Sequence, residues 1–177
     1  MSEIIKWKNT EPSVVSQAFA PLTWTIRKVV PDKPVQSLLD GANEVGRLLT
    51  NKKDIIRKAK VVKIEDLQYL DLKISDPLAE DVHKWAIGFG ITEGGTTGIF
   101  GLPGAAVDIP AIITLAIRTI HKIGICYGYE CKSEEDKKFA LGILSASGAN
   151  SMEEKNIALG MLKSLETTVA KQTAKIL

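Results

Sequence analysis

The sequence predicts an all-α fold, a single-domain helical bundle, on three observations. Apolar residues recur at helical spacing in most segments that lie between the prolines and glycines. Helix-start signals precede several of these segments, with a capping residue followed by proline or by acidic residues. Two apolar, alternating segments joined by a two-residue turn, the mark of a β-hairpin, do not occur in the sequence. We expect about six helices, arranged around a glycine-rich helical hairpin at residues 77–128.

Composition bounds the class of protein. A chain of 177 residues can bury one core, so residues 1–177 are expected to form one domain. The sequence contains no stretch of 18 uncharged apolar residues, which excludes an ordinary single transmembrane span. Two cysteines are too few for a disulfide framework, and residues 1–13 lack the apolar centre of a secretory signal. We therefore expect a cytoplasmic protein with reduced thiols.

The first 75 residues combine a polar start, a proline-rich region and a basic segment. Residues 1–10 are predicted to be a polar arm, and four prolines divide the region that follows into short helical pieces. A helix is expected from Val35 to Leu49 on its apolar spacing. Residues 51–63, NKKDIIRKAKVVK, place one apolar face among basic residues, formed by Ile55, Ile56, Ala59 and Val62. Residues 61–75 fit a short helix or an extended segment.

The expected hairpin follows. Ser75-Asp76-Pro77 is a helix-start signal, and the apolar stripe of the first hairpin helix contains Leu78, Val82, Trp85, Ala86 and Phe89. Leu102-Pro103-Gly104 is expected to break the helix. Asp108, two residues before Pro110, is expected to be the N-cap of a second helix that runs to about Tyr127, before Gly128. Ser133 and Ser151 are expected to open two more helices, with Gly148 between them.

Residues 76–147 contain three distinctive pieces, TEGGTTGIFG, VDIPAIITLAIRTIHKI and CYGYE, in this order. In this block the sequence resembles the EcsC family of bacterial proteins. The resemblance implies a helical protein whose biochemical role is poorly defined. It also implies a connection with membranes, because the family is named after an operon that encodes an ABC transporter. EcsC-like chains usually continue into a further apolar, glycine-containing segment, whereas this sequence stops at Leu177. Either it is a short member or the terminal part is absent, which weakens the carry-over of a complete site.

Three glycines, Gly90, Gly94 and Gly98, follow one another at four-residue spacing. GGTTGIFG is not a phosphate-binding loop because no Gly-Lys-Ser/Thr follows, and GFGITE departs from the dinucleotide fingerprint at Glu93. The spacing instead favours close packing between helices, either in a soluble core or as in membrane helix pairs. We assign these glycines, together with Asp108, to helix packing. A cavity left by the glycines for a lipid or another apolar ligand is an alternative.

Glu93 continues the apolar stripe of its helix by one turn, and a buried carboxylate requires a partner. The next helix offers Arg118 and His121 on one face. Glu93, Arg118 and His121 are therefore the candidates for a catalytic centre. The alternatives are a structural Glu-Arg pair, or a helix that ends before Glu93 and leaves it in water.

Metal and cofactor sites are not predicted. Glu80 and His83 form one Glu-x-x-His pair, whereas a di-iron bundle needs two. Cys126 and Cys131 have the wrong spacing for a zinc knuckle. A nucleophile elbow, Gly-x-Ser-x-Gly, does not occur in the sequence.

The basic segment is the other candidate site. Residues 1–63 contain 12 Lys/Arg against 6 Asp/Glu, and half of these bases lie between residues 52 and 63: Lys52, Lys53, Arg57, Lys58, Lys60 and Lys63. Nucleic-acid binding is not expected, because neither interleaved aromatics nor a known module accompanies them. A basic amphipathic segment next to an apolar hairpin favours a membrane surface, and a solvated face is the alternative.

These observations leave three functions open. The first is a non-enzymatic protein that associates with a membrane surface, peripherally at the inner face, or with a membrane-protein partner. The second is an enzyme with a centre at Glu93, Arg118 and His121. The third is a carrier of a lipid or another apolar ligand.

Overall fold

The computed structural model describes residues 2–11, 32–48, 50–97, 102–149 and 151–173. Within the helices, it describes side chains except at residues 2–4, 32–36, 38–39, 89–97, 102–112 and 167–173.

The described chain is α-helical, without a β-strand in these ranges, so the all-α prediction is confirmed. A 3₁₀ helix covers Ile64–Tyr69. For residues 61–75 the sequence allowed either a short helix or an extended segment, and the structure shows a short helix there. The α-helices are α1 (Ser2–Asn9), α2 (Asp32–Leu48), α3 (Lys53–Ala59), α4 (Leu72–Thr97), α5 (Leu102–Cys126), α6 (Glu134–Ser147) and α7 (Met152–Thr173).

The chain divides into two compact units. The first unit comprises Met1–Val35 and Leu141–Leu177, and the second comprises Gln36–Ala140. The expectation of one domain over residues 1–177 stays a prediction.

Helix α4 begins at Leu72, five residues before the start that Ser75-Asp76-Pro77 predicted. Asp71 forms the cap, because its Oδ1 accepts a hydrogen bond from the backbone N–H of Lys73 at 2.9 Å. Pro77 therefore lies inside the helix, and Ser75 is buried. The start predicted at Ser75-Asp76-Pro77 is therefore wrong, because Asp71 caps the helix earlier in the chain.

Helix α5 begins at Leu102, so two predictions for this region are wrong. Leu102-Pro103-Gly104 starts the helix instead of breaking it, because a proline in the first turn removes only an N–H that has no helical partner. Asp108 is the seventh helical residue and cannot be the N-cap. The end of the helix agrees with the prediction, since α5 stops at Cys126 and Gly128 has a left-handed backbone with φ 85°.

The prediction that Gly90, Gly94 and Gly98 pack helices together concerns a region where the structure describes few side chains. Gly90 and Gly94 belong to α4, but the side chains around them are not described, and Gly98 is outside the described residues altogether. Helices α4 and α5 do pack against each other as the predicted hairpin.

The core of the second unit forms where α3, the 3₁₀ helix and α4 pack on the end of α5. Its buried members are Ile55, Ile64, Leu67, Leu78, Ala79, Val82, Ile125 and Cys126. Trp85, predicted in the buried stripe of α4, is 43% exposed. The stripe is correct at Leu78 and Val82 and turns towards solvent one turn later.

Gly128 joins the end of α5 to the 3₁₀ helix. The Nε2 group of Gln68 donates a hydrogen bond to the carbonyl oxygen of Gly128 at 2.8 Å. A Cβ at Gly128 would lie 2.7 Å from the backbone nitrogen of Gln68 and 3.1 Å from the carbonyl oxygen of Ile64. Only glycine fits both this contact and the left-handed backbone.

In the first unit, the predicted polar arm is a helix, α1. Lys155 of α7 is 4% exposed, and its ammonium donates hydrogen bonds to the carbonyl oxygens of Trp7 and of Thr10, the latter at 2.9 Å. The same ammonium lies 4.1 Å from the centre of the Trp7 ring. The carbonyl end of a helix carries a partial negative charge, and a cation there interacts with it favourably. Lys155 therefore stabilises the C-terminal end of α1.

Candidate functional site

The close crossing of α2 and α5 builds the first candidate site. A Cβ at Gly46 would lie 3.1 Å from the backbone nitrogen of Arg118 and 3.2 Å from Cγ2 of Ile117. Because Gly46 lets the two helices approach, Asn43 of α2 reaches His121 of α5. The two side chains are 1% and 6% exposed, and Nε2 of His121 lies 3.0 Å from Oδ1 of Asn43.

His121 is a neutral imidazole at neutral pH. Burial lowers the pKa of His121, and the nearby positive charge of Arg47 lowers it further. An amide oxygen only accepts hydrogen bonds, so Nε2 of His121 carries the proton and donates a hydrogen bond to Oδ1 of Asn43. Nδ1 is then the acceptor of the ring.

His121 lines a pocket of about 230 Å³ in the second unit. The polar residues of the lining are Arg47, Thr50, Lys52, His121 and Glu130, and the less polar ones are Leu48, Ile125 and Cys131. The pocket collects residues from the end of α2, the start of α3, the last third of α5 and the segment after it. It therefore depends on the same crossing that brings His121 to Asn43.

Ion pairs lie at the edge of this pocket. Lys52 donates a hydrogen bond to Oε1 of Glu130, and Lys132 lies 3.3 Å from Oε2 of the same carboxylate. The hydrogen bond from Lys52 is the main cause of a lowered pKa at Glu130, which is therefore a carboxylate at neutral pH. Nη2 of Arg47 lies 3.0 Å from Oε2 of Glu44, in a pair that is exposed on both sides.

Both cysteines are free thiols. Burial raises the pKa of Cys126 to about 11, and burial also raises the pKa of Cys131 to about 11. At neutral pH both are protonated, and a protonated thiol is a poor nucleophile and a poor metal ligand. Cys131 therefore contributes to the pocket as a small, weakly polar surface.

The predicted centre of Glu93, Arg118 and His121 is only partly described. The guanidinium of Arg118 lies 4.8 Å from the centre of the Trp85 ring, a cation–π contact across the hairpin. Its buried Nε has no hydrogen-bond acceptor among the described residues. His121 pairs with Asn43 instead. The side chain of Glu93 lies outside the description, so its pairing with Arg118 stays a prediction, as do the enzyme and the ligand cavity at the glycines.

Over the described residues, no group of three or more His, Cys, Asp or Glu side chains is placed to hold a metal ion. Glu80 pairs with Lys84 at 2.8 Å, and His83 is exposed.

The six predicted bases fall into two classes. Lys52 pairs with Glu130, and Lys58 pairs with Asp81 at 2.7 Å. The other four side chains are exposed and have no ion-pair partner in the part of the chain that the structure describes: Lys53, Arg57, Lys60 and Lys63.

The apolar face of the basic segment differs from the prediction. Helix α3 ends at Ala59, and Lys60 has a left-handed backbone with φ 56°. The change of direction turns Val62 outwards, so that it is 85% exposed, and Val61 packs on the core in its place. The predicted membership of Val62 in the buried face is therefore wrong.

Exposed apolar side chains follow in the next turns of the chain. Tyr69 is 87% exposed and Leu72 is 61% exposed, and the exposed Lys73 comes directly after them. We call residues 53–73 the basic–apolar segment. The sequence analysis missed Tyr69 and Leu72, although the lack of a clear helical face in residues 61–75 was a signal that some apolar residues there remain uncovered.

Among the described residues, the structure contains no helix with the length and apolar character needed to cross a membrane.

Comparison with known proteins gives a family and one curated relative. The family model described as the EcsC protein family matches residues 1–176. The chain is also similar to "Uncharacterized protein YdbA" of Bacillus subtilis (strain 168), with 28% identity over 166 residues. The match covers 85% of this chain and 61% of the relative, so the chain spans about three-fifths of the relative's length. No solved structure matches the chain.

Proposed function

This chain belongs to the EcsC protein family, and for it we propose association with an anionic membrane surface through the basic–apolar segment. The observation that carries the proposal is the exposure of Val62, Tyr69 and Leu72 in a stretch of chain that also exposes unpaired bases. Uncovered apolar side chains beside free positive charges are typical of proteins that bind at a lipid interface.

The free bases supply the electrostatic part of the attraction. Each Lys or Arg near an anionic membrane contributes about 1 kcal/mol, or roughly a fivefold change in affinity. Lys52 and Lys58 contribute less, because carboxylates already neutralise them. The effective charge therefore comes from Lys53, Arg57, Lys60 and Lys63.

The exposed apolar side chains supply the second part. Moving an aliphatic side chain such as Val62 or Leu72 from water into an apolar environment gains about 1.5–3 kcal/mol. Tyrosine favours the headgroup region, where the ring is apolar and the hydroxyl remains hydrated, which suits Tyr69. Stable membrane binding generally needs two such signals together.

Co-sedimentation with lipid vesicles tests the electrostatic part. We expect the protein to pellet with vesicles that contain phosphatidylglycerol and not with vesicles of phosphatidylcholine alone. The double variant Lys60→Gln/Lys63→Gln should bind about 30-fold more weakly at low salt. The matched control Lys138→Gln/Lys163→Gln removes two exposed bases from α6 and α7 and should bind like the wild type.

The apolar part has its own pair of variants. Val62→Asn should weaken binding, whereas Ile157→Asn, at a side chain that is 53% exposed on α7, should not. Equal losses in the test and control variants would refute the assignment to this segment. Binding to native membranes without binding to protein-free vesicles would refute a lipid surface and indicate a membrane-protein partner.

A further inference from the structure

We propose that the pocket beside His121 binds a small phosphate monoester that carries hydroxyl groups. No residue of the pocket lining belongs to the basic–apolar segment, residues 53–73, and the pocket takes its ligand from solution or from a lipid headgroup of the same chemistry. The proposal does not depend on the membrane proposal.

The size of the pocket sets the size of the ligand. A volume of about 230 Å³ equals roughly seven or eight water molecules at about 30 Å³ each. It lies below the 300–1,000 Å³ or so of sites for drug-sized ligands. The pocket is partly open to solvent, and its volume matches a phosphorylated fragment of about three carbons.

The donors in the lining favour an anion. In and directly beside the lining, Arg47, Lys52 and Lys132 carry three positive charges against the two negative charges of Glu44 and Glu130, while His121 is neutral. Their existing pairs leave donors free, because a guanidinium has five N–H groups and Arg47 uses one nitrogen for Glu44. The fork of an arginine matches two oxygens of a phosphate, which makes Arg47 the principal anchor.

The acceptors in the lining favour hydroxyl groups on the same ligand. The carboxylate of Glu130 accepts hydrogen bonds, and Nδ1 of His121 is an acceptor because Nε2 donates to Asn43. An anion without hydroxyl groups would leave these acceptors without donors from the ligand. Leu48, Ile125 and Cys131 provide the less polar surface for a short carbon chain.

Isothermal titration with glycerol 3-phosphate tests the proposal directly. We expect saturable binding that weakens about tenfold or more in Arg47→Gln, since a hydrogen-bonded charge pair with the ligand is lost. Lys138→Gln is the control, because Lys138 is an exposed base outside the pocket and outside the basic–apolar segment, and it should bind as the wild type does. Cys131→Leu should abolish binding by filling the pocket without changing its charge.

Two further probes check the ligand class. Inorganic phosphate and glycerol, each alone, should bind more weakly than the ester, because each satisfies only one part of the lining. A lack of saturable binding of glycerol 3-phosphate would overturn the proposal, as would equal weakening in Arg47→Gln and Lys138→Gln. Binding of inorganic phosphate as tightly as the ester would overturn the role of the hydroxyl groups.

The source of the ligand is decided by competition. If glycerol 3-phosphate releases the protein from vesicles that contain phosphatidylglycerol phosphate, whose headgroup ends in a phosphate monoester and carries a hydroxyl group, the pocket takes a lipid headgroup. If titration shows binding but the vesicle-bound fraction is unchanged, the ligand is soluble. If glycerol 3-phosphate does not bind the pocket, the double variant Lys60→Gln/Lys63→Gln should still bind vesicles more weakly than the wild type. The two proposals can therefore be refuted separately.

Discussion

Replacement of Gly128 by alanine is the most direct test of the junction between α5 and the 3₁₀ helix. An alanine there must hold φ near 85°, which costs an L-residue roughly 1–2 kcal/mol. Its Cβ would also lie 2.5 Å from Cγ of Gln68 and 2.7 Å from the backbone nitrogen of that residue. The side chain can rotate away, but the backbone contact forces a shift, and such overpacking typically costs about 1–3 kcal/mol.

A shift at this position also disturbs the hydrogen bond from Gln68 to the carbonyl oxygen of Gly128, worth about 0.5–1.5 kcal/mol. Together these effects predict that Gly128→Ala lowers the free energy of unfolding by about 3–6 kcal/mol. That is a large fraction of the roughly 5–15 kcal/mol of a typical domain.

Urea unfolding followed by far-UV circular dichroism measures this change. Gly160→Ala is the control, because a Cβ at this helical glycine of α7 meets nothing within 4 Å. It should stabilise the protein by about 0.5–1 kcal/mol, as alanine does in place of glycine inside a helix. A Gly128→Ala protein within about 1 kcal/mol of the wild type would refute the left-handed turn and its contact with the 3₁₀ helix.

Two other predictions concern His121 and Lys155. Because the folded protein lowers the pKa of His121 below its ordinary value of 6.5, the unfolded chain binds the proton more readily, and stability should fall as the pH drops below 6.5. Melting temperatures at pH 7.5 and 5.5 should show a smaller fall in His121→Gln than in the wild type or in His83→Gln, and equal falls would contradict it. Lys155→Met should speed hydrogen exchange of the amides of α1, whereas Lys163→Met, at an exposed position of the same helix, should not.

Sequence reasoning succeeded where the signal was local. Ser133 caps α6 through its Oγ, which accepts a hydrogen bond from the N–H of Asp136 at 3.1 Å, and Ser151 caps α7 in the same way. Such a cap depends on residues three positions apart, which the sequence displays. The starts of α4 and α5 were misplaced because several capping residues and prolines compete there, and only packing decides between them.

The site shows the opposite case. His121 was recognised as a candidate, but its partner Asn43 lies 78 residues away along the chain. Nothing in the spacing of either helix identifies that pair, because it depends on the approach of two helices at Gly46. Val62 was misplaced for a related reason, since one left-handed residue, Lys60, changes the face on which every later residue lies.

The hydrogen bonds from Lys155 to the end of α1 have a consequence for the order in which parts of this protein fold during synthesis. The lysine lies 145 residues after Thr10, whose carbonyl oxygen it binds, so the contact is among the most distant in sequence between residues that the structure describes. On the ribosome, the segment 36–140 is complete before Lys155 has been added. Helix α1 therefore stays without this anchor while residues 11–154 are synthesised.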